Sequence, residues 1–334
     1  MKKLIQSLVE AVGPSGYEDE VRNLVRAEIE EHVDSIQVDA LGNLIARKGK
    51  KGKGGKRVML SAHIDEIGVI VTHVDDEGFA RFAPIGGVRS FYCLGGRVRF
   101  VNGVRGVISA EGNLFKTRTA AVPLDKLFID VGATSRENCP LRTGDIAAFD
   151  RPFLDLGNRL VSKAMDDRLA TAILIEVIRK VKSSPHELVF VFSVQEEVGQ
   201  RGAITSAYGI DPDIGISVDV TLTGDTPKSA KMNVKLGKGP AVKVRDGGML
   251  SDPRLVQHMV DTAEKLGLPY QMEVLVGGTT DARAIQITRA GVPSGCVSIP
   301  CRYVHSPSEM VDFGDVENTI RLVVELVSSP INLE

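Results

Sequence analysis

The sequence holds 334 residues, 43% of them hydrophobic and 25% charged, with a formal net charge of -2. These are ordinary values for a globular chain of one or two domains, and near-neutral charge argues against nucleic acid or an anionic membrane surface as the main partner. No apolar run reaches the roughly 18 residues of a membrane span, and the four cysteines (Cys93, Cys139, Cys296, Cys301) are read as buried, inert thiols and not as a disulfide framework.

Near the N-terminus, Leu4, Ile5, Leu8, Val9 and Val12 have helical spacing, and the long apolar region and cleavage site of a signal peptide are lacking. A cytoplasmic protein is expected. The helix stops at Gly13-Pro14-Ser15-Gly16, and a second follows with Val21, Leu24, Val25, Ile29 and Val33 on one face. Short strands flank Ala40-Leu41-Gly42. The basic, glycine-rich stretch 48–57 lacks the residue order of a phosphate-binding loop and reads as a solvated connection. Arg57 to His63 reads as a strand running into Ile64-Asp65-Glu66-Ile67-Gly68. From residue 68 to 158 the texture changes. Short β-like runs at 69–74, 97–101, 106–109 and 126–131 alternate with Gly, Asn and Pro turns, with no convincing amphipathic helix. This predicts a small, mainly antiparallel β domain at 68–158, inserted into an α/β catalytic domain made of 1–67 and 159–334.

Helix and strand alternation resumes after Asn158. A helix carrying Ile173, Leu174, Val177, Ile178 and Val181 precedes the run Leu188 to Phe192, whose continuous apolarity suits a strand buried on both faces of a parallel sheet. Beyond it the pattern predicts a short helix near Ala203–Tyr208, a strand at Ile214–Asp219 and a long helix at Asp252–Leu266. A strand at Met272–Val276, a helix at Asp281–Ala290, a strand at Ser294–Ile299 and a helix at Val316–Val327 complete the chain. The fold class is α/β: a mostly parallel sheet flanked by helices, with the inserted β-rich domain.

In such sheets chemistry collects beyond the carboxyl ends of the strands. Five strand ends carry metal-competent side chains: His63 with Asp65, Asp166 with Asp167, Glu196 with Glu197, Asp219, and His305 with Glu309. Singly, each has a plainer reading. A strand-end histidine is often structural, paired aspartates can cap a helix, Asp219 can open a turn, and Glu196-Glu197 can be a solvated pair. Jointly, two histidines and several carboxylates without thiolates suit zinc, cobalt or manganese in an open site and not a closed structural zinc. Of the two adjacent glutamates, one can hold a metal while the other handles a proton. His32, His73, His186 and His258 lack this context and read as surface or core residues.

The set resembles the tetrahedral and glutamyl aminopeptidases, family forty-two of the metallopeptidases. It rests on Gly13-Pro-Ser-Gly16, Ala62 to Gly68, Lys163 to Arg168, Gln195 to Gly199 and Asp219 to Pro227. It extends through Asp246 to Pro253, Gly278 to Ala282 and Tyr303 to Pro307, and so covers essentially the whole chain. The resemblance implies two divalent metal ions per subunit, zinc or cobalt, with manganese also compatible. In that pattern Asp166 bridges the metals, His63 and Asp219 complete one site, and Glu197 and His305 complete the other. Glu196 is the general base, and Asp65 orients His63 from behind. Asp166 is preferred to Asp167 as the bridge by analogy alone. The implied function is a metal-dependent aminopeptidase acting on peptides. The inserted domain is implied to be barrel-like and to drive homo-oligomers, from dimers to hollow tetrahedral dodecamers. Rival readings are a related deacylase or deblocking peptidase, a non-catalytic assembly subunit, and an endoglucanase-like glycosidase. The last is poorly served by 5 tyrosines and no tryptophan. Thr279-Thr280-Asp281 either contacts substrate or the metal shell or caps the following helix, and capping is preferred. Lys235, Lys238, Lys243 and Arg245 either recognise acidic side chains or form a solvated basic face.

Overall fold

The structure, a computed structural model, describes residues 1–112 and 122–333. Helices α1 (Lys2–Glu10) and α2 (Asp19–Ile29) each bury one apolar face, Leu4, Ile5, Leu8 and Val9 in the first, Val21, Val25 and Ile29 in the second. A 3₁₀ turn at Glu30–His32 leaves Val33 outside the helix. The hairpin β1 (Ser35–Val38) and β2 (Leu44–Lys48) turns on Asp39, whose Oδ1 accepts the N–H groups of Leu41, Gly42 and Asn43. Strand β3 (Arg57–His63) is buried beyond its first residue and ends at His63.

The chain then enters a closed barrel. Its strands are β4 (Gly68–Val74), β5 (Ala80–Ile85), β6 (Arg97–Phe100), β7 (Arg105–Ala110), β8 (Leu127–Asp130) and β9 (Ile146–Phe149), in the order β4-β5-β8-β7-β6-β9. A one-turn helix, α3 (Ser90–Cys93), lies between β5 and β6. Closure removes the exposed edges that six short strands would otherwise present. The barrel has its own core, including Val71, Phe82, Val98, Phe100, Ile108, Ile129 and Phe149. Three of the cysteines are buried, and Cys139 is half-buried.

The return to the larger body runs through β10 (Leu154–Asp155), β11 (Arg159–Ser162), α4 (Met165–Lys180), β12 (Glu187–Ser193), α5 (Arg201–Ile210) and β13 (Ile214–Thr221). It continues with β14 (Ala241–Arg245), α6 (Pro253–Lys265), β15 (Gln271–Val274), α7 (Asp281–Gln286), β16 (Ser294–Arg302), β17 (Glu309–Asp312) and α8 (Phe313–Ser328). The sheet order is β1-β2-β12-β3-β13-β16-β17-β11-β10, with β14 beside β16 and β15 beside β14. Strands β12, β3, β13 and β16 form the parallel centre. Antiparallel pairs extend it on both sides where connections such as β1 to β2 and β16 to β17 are too short for a crossover. Alternate residues of β12 serve opposite faces. Leu188, Phe190 and Phe192 join the core under α1, α2, α4 and α8, while Val189 and Val191 pack with Ala207 of α5 and Ile285 of α7. Helix α7 stops at Gln286, short of the sequence pattern, and Arg289 beyond it has a left-handed φ of 49°. Register brings Ser193 beside His63 and Ser298 beside Asp219, so the parallel strands end along one edge. No described helix is long and apolar enough to cross a membrane.

Candidate active site

The fully buried carboxylate of Asp65 organises the first part of the site. It accepts the Ser15 hydroxyl at 2.6 Å and the N–H groups of Glu196 at 2.9 Å and Glu197 at 3.2 Å. His63 Nδ1 lies 3.1 Å from the Asp65 carbonyl and 3.3 Å from its Oδ1. One side chain therefore aims the His63 ring and fixes the backbone under both glutamates. Burial alone would raise the Asp65 carboxyl, but His63, Ser15 and these N–H donors hold it below the usual range.

Asp166 and Asp167 open α4, joined by a cis peptide and with non-helical backbone angles. The Asp166 carboxylate stands between two imidazoles: Oδ1 is 3.0 Å from His63 Nε2, and Oδ2 is 3.3 Å from His305 Nε2. His305 Nε2 is also 3.2 Å from Glu197 Oε2. Asp167 is fully buried. Its Oδ2 accepts the His63 N–H at 3.3 Å, and its Oδ1 has no hydrogen-bond partner. Two overlapping groups place ligand atoms within 4.8 Å of one another: His63, Asp167 and Asp219, and His63, Asp166 and Glu197. The structure thus brings His63, Asp65, Asp166, Glu196, Glu197, Asp219 and His305 to one place, and adds Asp167.

Three further buried acids stand near these groups: Glu309, which the sequence marks only as metal-competent, Asp281, marked only as part of a substrate-contacting or capping segment, and Glu18, which it does not mark at all. Glu309 accepts the N–H groups of His305 at 2.7 Å and Asp166 at 2.9 Å. Asp281 accepts the Ser193 hydroxyl at 2.5 Å and leaves Oδ1 without a partner. Glu18 accepts from the N–H groups of Gly16 at 2.7 Å and Gln195 at 3.2 Å. The sequence signal for the Glu309 role is its place four residues after His305, beyond a Ser-Pro-Ser turn that folds it back onto the His305 N–H.

Charge crowding dominates the electrostatics. Burial, reinforced by neighbouring acids, pushes the carboxyls of Asp167, Glu196 and Asp219 well above the carboxylate range. Burial opposes charge on His305, yet Asp166 and Glu197 push it up to about 11. His63 is likewise held high by Asp166 and Asp65 against its own burial. So many buried carboxylates around two imidazoles call for positive charge. Nitrogen and oxygen donors, an orphaned Asp167 oxygen and the absence of thiolates fit divalent zinc, cobalt or manganese.

His63, Asp166, Glu196, Glu197, Asp219 and His305 line a cavity of about 660 Å³ together with Leu275, Thr279, Thr280 and Arg283. Thr280 also caps α7, accepting the Ala282 N–H at 3.3 Å. Of the four basic residues singled out in the sequence, only Lys243 reaches the cavity, and its ammonium is buried 2.6 Å from Glu273. Lys235, Lys238 and Arg245 are exposed elsewhere.

A profile of the M42 glutamyl aminopeptidases matches residues 42–322. The chain is similar to the lysyl aminopeptidase of Pyrococcus furiosus, with 37% identity over 97% of this chain and 96% of that one. Among solved structures, an aminopeptidase of the archaeon Desulfurococcus kamchatkensis shares 41% identity over 98% of this chain and 94% of that one, with a TM-score of 0.93. A TET peptidase of Pyrococcus horikoshii, described as able to assemble into a tetrahedron or a large octahedral shell, shares 32% over 98% of each chain, with a TM-score of 0.87. A match that runs from the first hairpin through the barrel to α8 takes in every strand end described above, and the chain belongs to the M42 glutamyl aminopeptidase family of metal-dependent peptidases.

Proposed function

We propose that this enzyme removes N-terminal residues from peptides with two divalent ions, zinc or cobalt, held by His63, Asp166, Glu197, Asp219 and His305. The observation that carries the reading is the Asp166 carboxylate, whose two oxygens face one imidazole each. Asp167 reaches only the His63 side, which supports Asp166 as the bridge. When bound, the two ions would polarise the scissile carbonyl and lower the pKa of the attacking water. Glu196 lies in the cavity wall outside both ligand groups. With the ions in place, its half-buried carboxylate would accept the proton of that water and pass it to the departing amine. Asp65 holds His63 and the Glu196 backbone still while this happens.

Residues 68–158 are proposed as the unit through which copies associate, from dimers to a tetrahedral dodecamer. Support comes from exposed apolar residues on the barrel (Phe91, Leu94, Val101 and Val107) and from the assembly described for the horikoshii relative. The four free cysteines fit the reducing cytoplasm.

The test is hydrolysis of a leucyl peptide and its N-acetylated copy, each with chelator and with added cobalt or zinc. Metal-dependent cleavage of the free peptide alone is expected. Cleavage of the blocked copy would turn the reading to a deblocking peptidase. A metal-loaded protein inert on both would overturn peptide hydrolysis and favour acyl or glycosyl substrates or an assembly role.

A further inference from the structure

The two histidines of the site are held in different ways. His63 has Asp65 behind its Nδ1. Among the described residues, His305 has no hydrogen bond to its Nδ1. Its backbone is fixed, with a left-handed φ of 63° and its N–H donated to Glu309. Its ring is free to rotate away from Asp166 and Glu197 unless something blocks the other side.

That something is the backbone of Gly87, in the segment joining β5 to α3. A Cβ built on Gly87 would lie 2.2 Å from His305 Nδ1 and 2.6 Å from its Cε1, far inside any real contact, and its three nearest atoms all belong to His305. Gly87 is not among the glycines with positive φ, and it is exposed on the cavity wall, so neither backbone conformation nor core packing demands a glycine there. Gly86 differs: its φ of +72° favours glycine by itself, and it packs against Ile67 and Glu197. A ligating imidazole normally needs a partner that fixes its ring.

From this contact we infer that Gly87 is a positioning residue for His305, a steric stop supplied by the inserted barrel in place of an orienting hydrogen bond. The inference rests on the two-metal reading. The site of Glu197 and His305 is then completed by the barrel domain, while the site of His63 and Asp219 is built from strand ends and the start of α4 in the larger body.

The test is Gly87→Ala, compared with wild type after chelator stripping. Cobalt is titrated back by calorimetry and visible absorbance, and the metal-free melting temperature is recorded. Wild type is expected to take up two ions. The variant, whose added methyl group displaces the His305 ring, should keep one tight site and lose roughly 10–100-fold in affinity at the other, as when the groups that orient a metal-ligating side chain are disturbed. Its metal-free melting temperature should not move. In a His305→Ala background the same change should leave the remaining site unaltered. Two ions bound with wild-type affinity by Gly87→Ala would overturn the inference alone. So would an equal weakening in the His305→Ala background, or a metal-free melting temperature that falls in step with affinity. A wild-type chain that takes up fewer than two ions would overturn the two-metal reading and the inference with it.

Discussion

Glu196 and Glu197 are neighbours in sequence with different surroundings. Glu197 faces His305, whereas Glu196 belongs to neither ligand group. Glu196→Gln should therefore stay metal-loaded and lose roughly 10²–10⁴-fold in kcat. Metal content measured beside kcat separates this from a variant that has lost a ligand, in which both would fall. Glu18 offers a test of a different kind. Burial, with Asp65 nearby, raises its carboxyl to about 7 against the opposing Gly16 and Gln195 N–H groups. A carboxyl that binds its proton more tightly when folded stabilises the native state below the ordinary glutamate range, and that contribution is lost as pH rises through about 7. In metal-free protein, Glu18→Gln should flatten the decline in melting temperature between about pH 5 and pH 8. Parallel curves for the two proteins would show that Glu18 does not titrate there. The proposed ligands stand out in the sequence because imidazole and carboxylate at strand ends carry chemistry on their face. Glu18 did not stand out, and Glu309 stood out only as a metal-competent side chain, because the work of both is to receive backbone N–H groups from loops distant in sequence or irregular in shape.

At the scale of elements, the motif from Lys163 to Arg168 does more than present aspartates. Lys163 donates to both oxygens of Glu66, at 2.8 and 2.7 Å, and to the Ala11 carbonyl at 2.9 Å. Arg168 donates to the carbonyls of Leu8 at 2.9 Å and Gly13 at 3.0 Å, and Glu66 accepts the Gly13 N–H at 3.1 Å. The end of α1, the segment after β3 and the start of α4 are thus tied through one buried ionic knot. A side chain at Gly13 would come within 2.7 Å of the Arg168 guanidinium, which explains the glycine. Glu66→Ala would leave two buried cations without their anion and should cost about 3–5 kcal/mol in urea unfolding. A loss below about 1 kcal/mol would mean that water replaces the carboxylate. Sequence spacing could not show this knot, since Lys163 and Glu66 are 97 residues apart. The same limit hid some strands. Pro84 interrupts the pattern of β5, and Lys243, buried with Glu273, disguises β14 as part of a basic face. The central strands were plain because burial on both faces leaves only apolar residues to choose from.

For the molecule as a whole, the site is a concentration of like charge that folding assembles from five separate strand ends. Ions that bind only the assembled site stabilise it by mass action, about 2.7 kcal/mol at a free concentration one hundred times Kd. Chelation should therefore lower the melting temperature, and graded re-addition of zinc or cobalt should restore it in proportion to the logarithm of concentration. Melting curves indifferent to metal would mean that the cluster is neutralised by protons instead. The order of the ligands along the chain has a further consequence. His63 is made first, then the whole barrel, then Asp166, Glu197 and Asp219, and His305 only after β16. At about 5–20 residues per second on the ribosome, the stretch of more than 200 residues from His63 to His305 takes on the order of ten seconds or more to make. A growing polypeptide that has not yet made the segment after β16 therefore lacks one member of the proposed ligand set, and the full set exists only once that segment has been added.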